Sequence, residues 1–246
     1  MRNFKMILQY EGTRYKGWQR QESTEHTIQG KLEGILSKMA GTPVVIQGSG
    51  RTDAGVHALG QVANFKTNSQ IPIEKFAIAI NSRLKKSIVI KKAEEVDERF
   101  HSRLNCKRKT YRYIINNSPY GTAIYRYLET HIPQKLNVEK MKKAVKYFIG
   151  EHDFKAFKAS GTSSKSSVRT IYDAKIYQNG DKIYIELTGN GFLYNMVRII
   201  AGTLVEVGLE KIEPEKIEEI IKEGKRENAG KTLPPNGLYL VDVKYE

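Results

Sequence analysis

The chain has 246 residues, of which 39% are hydrophobic and 28% are charged, a balance typical of soluble globular proteins and not of disordered or fibrous ones. No apolar run approaches the roughly 20 residues that span a bilayer, and no apolar signal segment opens the sequence. The single cysteine, Cys106, cannot form an intramolecular disulfide. We therefore expect a cytoplasmic protein with no membrane partner.

The net charge points to a class of partner. A formal charge of +14 and a pI near 9.6 favour a polyanion, and nucleic acid is the commonest polyanion in a cytoplasm. Residues 103–112 hold five basic side chains and no acidic one, whereas residues 206–227 hold eight glutamates against five basic side chains. This uneven distribution indicates one surface that meets one anionic partner.

The first half of the chain alternates predicted strands and helices. Thr27 is the predicted N-cap of a helix that Gly41 ends, and Pro72 begins a second helix. The predicted strands cover residues 4–10, 44–46, 61–66 and 87–96. The polar loop 11–26 contains the only tryptophan, Trp18. Two interpretations of Trp18 are open, an anchor packed on the core or an aromatic ring that faces RNA.

The second half repeats this order of elements. Its predicted strands cover residues 110–116, 168–178, 182–188 and 238–243. The middle two are joined across Asn179-Gly180, a favoured hairpin pair. Helices are predicted between Asn137 and Gly150, over residues 192–207 and after Pro214.

Two successive β-α-β-β-α-β orders favour an α+β fold of two tandem ferredoxin-like, RRM-like halves. We place the halves at residues 1–103 and 104–246, with mixed, mainly antiparallel sheets. Two such sheets joined edge to edge would leave a central basic cleft. A single-domain arrangement is the alternative.

The stretch Gly48–His57, which we call the glycine loop, combines three glycines with one carboxylate, one guanidinium and one imidazole. One interpretation is a tight turn in which Asp53 bonds to its own backbone. The other is a working site on a rigid scaffold. A lone carboxylate can act as a nucleophile, and the nearby guanidinium of Arg51 would keep Asp53 ionised and aimed.

Metal and nucleotide sites are not predicted. The five histidines show no HExxH, HxH or CxxC spacing, so we expect no zinc site. The glycine loop fits neither the dinucleotide fingerprint nor the P-loop.

Two residues of the second half have alternative interpretations. Arg198 lies in an otherwise apolar predicted helix, where it either meets a carboxylate or extends to the surface. Tyr111 alternates with Tyr113 on a predicted strand. Such rings usually belong to the core, but the basic residues beside them also suit stacking on bases.

Five blocks of residues follow one another along the chain. They are Tyr10-Glu11-Gly12-Thr13 with Gly17-Trp18-Gln19, the run Gly50-Arg51-Thr52-Asp53-Ala54-Gly55-Val56-His57-Ala58, Phe100-His101-Ser102-Arg103 leading to Tyr111-Arg112-Tyr113, Gly189-Asn190-Gly191-Phe192 with Met196-Val197-Arg198, and Gly237-Leu238-Tyr239-Leu240. In sequence and order these blocks resemble the tRNA pseudouridine synthase A family. One loop could match by chance, but five ordered blocks could not.

This resemblance implies isomerisation of uridine to pseudouridine at positions 38, 39 and 40, in tRNA numbering, of the tRNA anticodon stem-loop. It also implies no metal, no organic cofactor, and a homodimer with a basic cleft that takes tRNA across two subunits. Asp53 would be the nucleophile. Three routes are open to it, namely attack on C1′ of the ribose, attack on C6 of the base, or assistance to glycal formation.

The resemblance also implies roles for five further residues. Tyr111 would stack on the target uracil, and Arg198 would pair with the aspartate nucleophile. Arg51 would help to hold the flipped-out nucleotide. Either Leu238 or Leu240 would line the uracil pocket.

Overall fold

The computed structural model describes residues 1–161 and 166–246, which form a mixed α/β protein with a mainly antiparallel open sheet. The chain divides into two compact units. Unit 1 comprises Met1–Lys107 together with Leu240–Glu246, and unit 2 comprises Arg108–Tyr239. The division of the sequence at residues 103 and 104 stays a prediction. Within the described ranges, every helix is too short or too polar to cross a membrane.

Unit 1 is built on four long strands. Its elements are β1 (Arg2–Tyr10), α1 (Ile28–Ala40), β2 (Gln47–Gly48), β3 (His57–Thr67), α2 (Ile73–Asn81) and β4 (Ile88–Val96), and it takes most of the last strand, β10 (Leu238–Lys244). The strand order is β4-β1-β3-β10, and the short β2 pairs with β3. The central strand β1 runs antiparallel to both β3 and β4.

The described residues of unit 2 contain a second run of strands and three α-helices. Its elements are β5 (Arg108–Asn116), β6 (Thr130–His131), α3 (Val138–Ala144), β7 (Gly150–Asp153), β8 (Val168–Asn179), β9 (Lys182–Gly189), α4 (Met196–Gly208) and α5 (Lys216–Glu223). The strand order is β5-β9-β8-β7, with antiparallel neighbours, and β6 lies parallel to β5.

Local sequence signals fix several element ends as predicted. The Thr27 hydroxyl accepts a hydrogen bond from the amide of Gly30 at the start of α1, and Gly41 ends that helix in the left-handed conformation. Asn137 accepts from the amide of Lys140 at the start of α3. The hairpin between β8 and β9 turns at residues 179–182, as predicted.

Three predicted elements are displaced in the structure. The strand predicted over residues 44–46 is wrong, because Val45 is 58% exposed and the pairing to β3 begins only at Gln47. The helix predicted from residue 192 begins at Met196, since Asn195 adopts a positive φ of 60° that a helix cannot contain. The helix predicted to run to Gly150 ends at Ala144 and continues as a 3-10 turn to Phe148.

Each unit has its own apolar core. In unit 1, Phe4 contacts Phe65 and Phe76, with ring centroids 5.8 and 4.8 Å away. In unit 2, Phe148 and Phe157 pack edge to face, and eleven of the 13 residues of α4 are buried. These cores fix the position of β3, which follows the glycine loop, and of α4, which carries Arg198.

Candidate active site

The glycine loop joins β2 to β3 in unit 1 and carries Asp53 and Arg51. Asp53 is half-buried, whereas Arg51 is exposed. Two other polar residues of the loop point inward, since Thr52 is 6% exposed and His57 is 1% exposed. The loop is therefore anchored at both flanks and presents its carboxylate between them.

The neighbouring loop over residues 11–18 holds the glycine loop through its backbone. The Trp18 amide donates to the Thr52 carbonyl at 2.9 Å, and the Gly55 amide donates to the Tyr15 carbonyl at 3.3 Å. The Gly12 amide donates to Nδ1 of His57 at 3.0 Å, which requires that this ring nitrogen carry no proton. These bonds lock the two loops together on both sides of Asp53.

Gly12 shows how closely the two loops approach. A Cβ atom at this position would lie only 1.9 Å from the carbonyl oxygen of Val56, far inside van der Waals contact. Only glycine allows such an approach. Glycine is therefore required at position 12 for the loop over residues 11–18 to pack against the glycine loop.

A buried polar network fastens the glycine loop from beneath. The Tyr10 hydroxyl lies 2.7 Å from Oγ1 of Thr52. The Gln61 amide donates to the Gly50 carbonyl at 3.0 Å, and its oxygen accepts from the Ser49 hydroxyl at 2.7 Å. Gln61 is fully buried, so losing these bonds would leave its polar atoms unsatisfied.

Burial also affects the tyrosine of this network. It raises the pKa of Tyr10 well above its ordinary value, against the opposing effect of hydrogen bonds to Thr52 and Gln61. The Tyr10 hydroxyl therefore stays neutral at physiological pH and serves as a hydrogen-bonding group. Gln61 and Tyr10 were not predicted as site residues, because their signal is a contact between distant positions and not a local motif.

Trp18 supports the same loop from the core. It is 2% exposed, and a Cβ atom added at Gly48 would lie 2.6 Å from its indole ring. The interpretation of Trp18 as a loop anchor is confirmed, and the interpretation as an RNA-facing ring is wrong.

Tyr111 lies on β5 in unit 2. Its ring is 7% exposed and packs edge to face against Phe192, with centroids 5.0 Å apart. Opposite it in the sheet is Leu187 of β9. Phe192 was assigned no role of its own from the sequence, and the structure shows that it packs against the Tyr111 ring.

Arg198 lies in the first turn of α4 and is half-buried. Its Nε donates to the Leu233 carbonyl at 2.6 Å, and a terminal nitrogen donates to Oδ1 of Asn195 at 2.7 Å. The Leu233 amide in turn donates to the Arg198 carbonyl at 3.3 Å. The guanidinium is thus oriented by two neutral oxygens, and its pairing with Asp53 stays a prediction.

The remaining predicted site residues are two leucines of the last strand. Leu238 is 6% exposed and Leu240 is fully buried, so burial alone does not choose between them. In the ranges that the structure describes, no group of three or more His, Cys, Asp and Glu side chains could hold a metal ion.

Comparison with known proteins assigns the chain to a family. The model of a family described as tRNA pseudouridine synthase matches residues 6–105 and 144–246. These ranges include Asp53, Arg198 and both leucines, while Tyr111 lies between them. Three bacterial relatives are named tRNA pseudouridine synthase A, and each match covers 100% of both chains. They come from Acetivibrio thermocellus (50% identical over 245 residues), Ruminiclostridium cellulolyticum (51% over 246 residues) and Thermoanaerobacter sp. strain X514 (50% over 245 residues).

Proposed function

The chain belongs to the tRNA pseudouridine synthase family, and we propose that it isomerises uridine to pseudouridine at positions 38, 39 and 40 of the tRNA anticodon stem-loop. The observation that carries the proposal is the half-buried Asp53 on a loop fastened on both sides. The choice of reaction is supported by three full-length relatives of this name, each about 50% identical to the chain.

The reaction needs a group that can attack a sugar or a base. The N1–C1′ bond breaks, the uracil turns, C5 bonds to C1′, the proton on C5 leaves, and N1 gains a proton. Atoms balance without an oxidant or a reductant. Asp53 begins this sequence in our proposal, by attack on C1′, by attack on C6 or by assistance to glycal formation. Arg51 helps to hold the nucleotide on which Asp53 acts.

The target base must leave its stack before it can meet Asp53, at a cost of a few kcal/mol. We assign part of the compensation to Tyr111, whose ring would stack on the extruded uracil. Tyr111 packs edge to face against Phe192, a contact that would fix the orientation of the tyrosine ring in advance. Arg198 would pair with Asp53, and Leu238 or Leu240 would line the uracil pocket.

The wider arrangement is part of the same proposal. We propose two tandem ferredoxin-like halves around a central basic cleft, and a cytoplasmic homodimer that binds one tRNA across its subunits. The sequence supports this through the repeated order of elements and the +14 charge. The proposed cofactor requirement is none.

One experiment separates the reaction classes. An unmodified tRNA transcript is incubated with the protein, digested to nucleosides and resolved by chromatography. We expect pseudouridine in place of uridine at the three anticodon-arm positions. Unchanged uridine would contradict the proposal in favour of a non-catalytic RNA-binding module, and free uracil with an abasic site would contradict it in favour of a nucleoside hydrolase.

A further inference from the structure

A groove of about 530 Å³ lies beside α1 in unit 1, separate from the glycine loop. Its walls are the end of the loop over residues 15–25, the exposed side of α1 and the turn after α2. Five of its lining side chains are basic and two are acidic, a formal excess of three positive charges. The basic ones are Arg20, Lys31, Lys38, Arg83 and Lys85.

Two of these cations are already paired. Arg20 lies 3.1 Å from a carboxylate oxygen of Glu33, and Lys31 lies 3.6 Å from Glu25. The other three, Lys38, Arg83 and Lys85, form no ion pair within residues 1–161 and 166–246.

One of the unpaired cations, in the turn after α2, is held by the end of that helix. A terminal nitrogen of Arg83 donates to the Ala79 carbonyl at 2.8 Å and to the Ser82 hydroxyl at 3.3 Å. Three cations without a carboxylate, gathered in one concavity, form an attractive site for an anion.

Tyr15 connects the groove with the glycine loop. Its side chain lines the groove, with the hydroxyl 2.8 Å from that of Ser87. Its carbonyl accepts the hydrogen bond from Gly55 in the glycine loop. Tyr15 therefore belongs both to the groove and to the hydrogen bonds that hold the glycine loop.

The lining also indicates which part of a nucleic acid fits. The lining contains one aromatic residue, Tyr15, against five basic ones. Basic side chains are suited to phosphate groups, which position a nucleic acid without reading its sequence. The groove is therefore better suited to the backbone of a nucleic acid than to its bases.

The floor of the groove includes bare backbone. Gly34 of α1 lines the groove, and a Cβ atom added there would meet nothing within 4 Å. Glycine inside a helix is less favourable than alanine, and packing does not require it here. A ligand that approaches the helix closely would explain its presence.

We propose that this groove binds the phosphodiester backbone of the tRNA whose uridine is isomerised at the glycine loop. The inference rests on the proposed function for the identity of its ligand. It assigns to Lys38, Arg83 and Lys85 direct contacts with phosphate groups beyond the reacting nucleotide.

The test compares two triple variants with equal loss of charge. The groove variant carries Lys38→Gln, Arg83→Gln and Lys85→Gln. The control carries Lys75→Gln, Lys91→Gln and Lys146→Gln, three lysines that are exposed and do not line the groove. The dissociation constant of each variant and of the wild-type chain for an unmodified tRNA transcript is measured over a range of salt concentrations.

Each phosphate contact contributes about 0.7 to 0.9 to the slope of log K against log salt concentration. We therefore expect the slope to fall by about 2 to 3 in the groove variant and by less than about 1 in the control. In pseudouridine formation, the groove variant should show a raised KM for tRNA, whereas the control variant should keep the wild-type KM. Equal slopes and equal dissociation constants for the two triple variants would overturn the proposal.

A single substitution probes the floor of the groove. Gly34→Ala should raise the thermal midpoint, because alanine favours the helix, and should weaken tRNA binding if the backbone approaches there. A raised midpoint with unchanged affinity would contradict the close approach. Binding is measured here without chemistry, so a wild-type chain that forms no pseudouridine would refute the proposed function and leave the groove test intact.

Discussion

The two units position their candidate site residues in different ways. Asp53 lies on an irregular loop that depends on hydrogen bonds from distant parts of unit 1, including those of Gln61 and Tyr10. In unit 2, Tyr111 lies on a paired strand and Arg198 on a buried helix. A loop of this kind can be misplaced by changing a residue that never touches substrate. A strand or helix keeps its geometry when a neighbouring residue is changed. In unit 2, activity is therefore lost only when the functional side chain itself is replaced.

The largest effect in unit 2 is expected from Arg198→Lys. The ammonium group cannot keep both bonds that the guanidinium makes to Leu233 and Asn195 and also hold a carboxylate in two places. We expect kcat/KM for tRNA to fall on the order of 10²- to 10³-fold, because lysine keeps the charge but loses the fixed geometry, and misplacement of a reacting group is costly. The matched control is Arg226→Lys in the same unit, since Arg226 also binds neutral carbonyls, those of Ala229 and Gly230.

The control variant should react at the wild-type rate. Equal rates for Arg198→Lys and the wild-type chain would contradict the assigned pairing with Asp53. They would also contradict the expectation that changing a functional side chain of unit 2 lowers activity.

The second effect concerns the stacking ring on β5. Tyr111→Ala should lower the rate about 100-fold, because stacking of a base on an aromatic ring contributes about 1–3 kcal/mol. Tyr111→Phe retains the ring and should keep most of the rate. Single-turnover pseudouridine formation measures both variants, and identical rates for Phe and Ala would exclude stacking as the role of this ring.

The third effect tests the dependence of the loop on its buried network. Gln61→Met keeps the side-chain length and removes the bonds to Gly50 and Ser49. We expect kcat to fall about 10- to 50-fold with little change in KM, since a small misplacement of a reacting group is costly. Stability should fall by about 1–3 kcal/mol.

The matched control for this variant is Gln29→Met. Gln29 is also a buried glutamine of unit 1, and its amide donates to the Ile46 carbonyl. It should lose similar stability at an unchanged kcat. If both variants lower kcat equally, the effect reflects general stability and not the position of the loop.

The smallest effect is a pH dependence of stability in unit 2. Burial disfavours ionisation of Glu186, but hydrogen bonds from Arg112 and Tyr177 outweigh it and hold the pKa of this carboxyl below its ordinary value of 4.5. The resulting stabilisation is present above pH 4.5 and is lost as pH falls through the lowered pKa. We expect the wild-type chain to lose on the order of 1 kcal/mol more than Glu186→Gln on acidification below pH 4.5.

Thermal unfolding followed between pH 3 and 6 measures this difference. The control is Glu139→Gln, since Glu139 forms an exposed pair with Lys142 of a kind that contributes little. Curves for the wild-type chain and Glu186→Gln that stay parallel below pH 4.5 would contradict the assigned pKa shift.

The sequence predicted what local chemistry determines. The Thr27 cap, the Gly41 end and the turn after Asn179 could each be predicted because one residue type sets one backbone geometry. The glycine loop was recognised because its residues adjoin in sequence. The family resemblance then singled out Asp53 from a loop whose glycines alone favoured a turn.

What could not be predicted depends on contacts between distant positions. The pairing of Gln47 instead of residues 44–46 follows from the register of β3. Gln61 donates a hydrogen bond to Gly50, eleven residues earlier in the sequence. Phe192 packs against Tyr111, which lies on a different element of unit 2. No periodicity in a single sequence encodes such partners.

The most direct test of the account is Asp53→Asn, which removes one charge and keeps the shape of the side chain. Pseudouridine formation at saturating tRNA and the dissociation constant for the same tRNA are measured together, with the exposed Asp181→Asn as control. We predict a rate lower by more than about 10⁴-fold, as for loss of a nucleophile, with affinity within about threefold of wild type. A variant that still forms pseudouridine within tenfold of the wild-type rate would contradict the claim that Asp53 is the nucleophile.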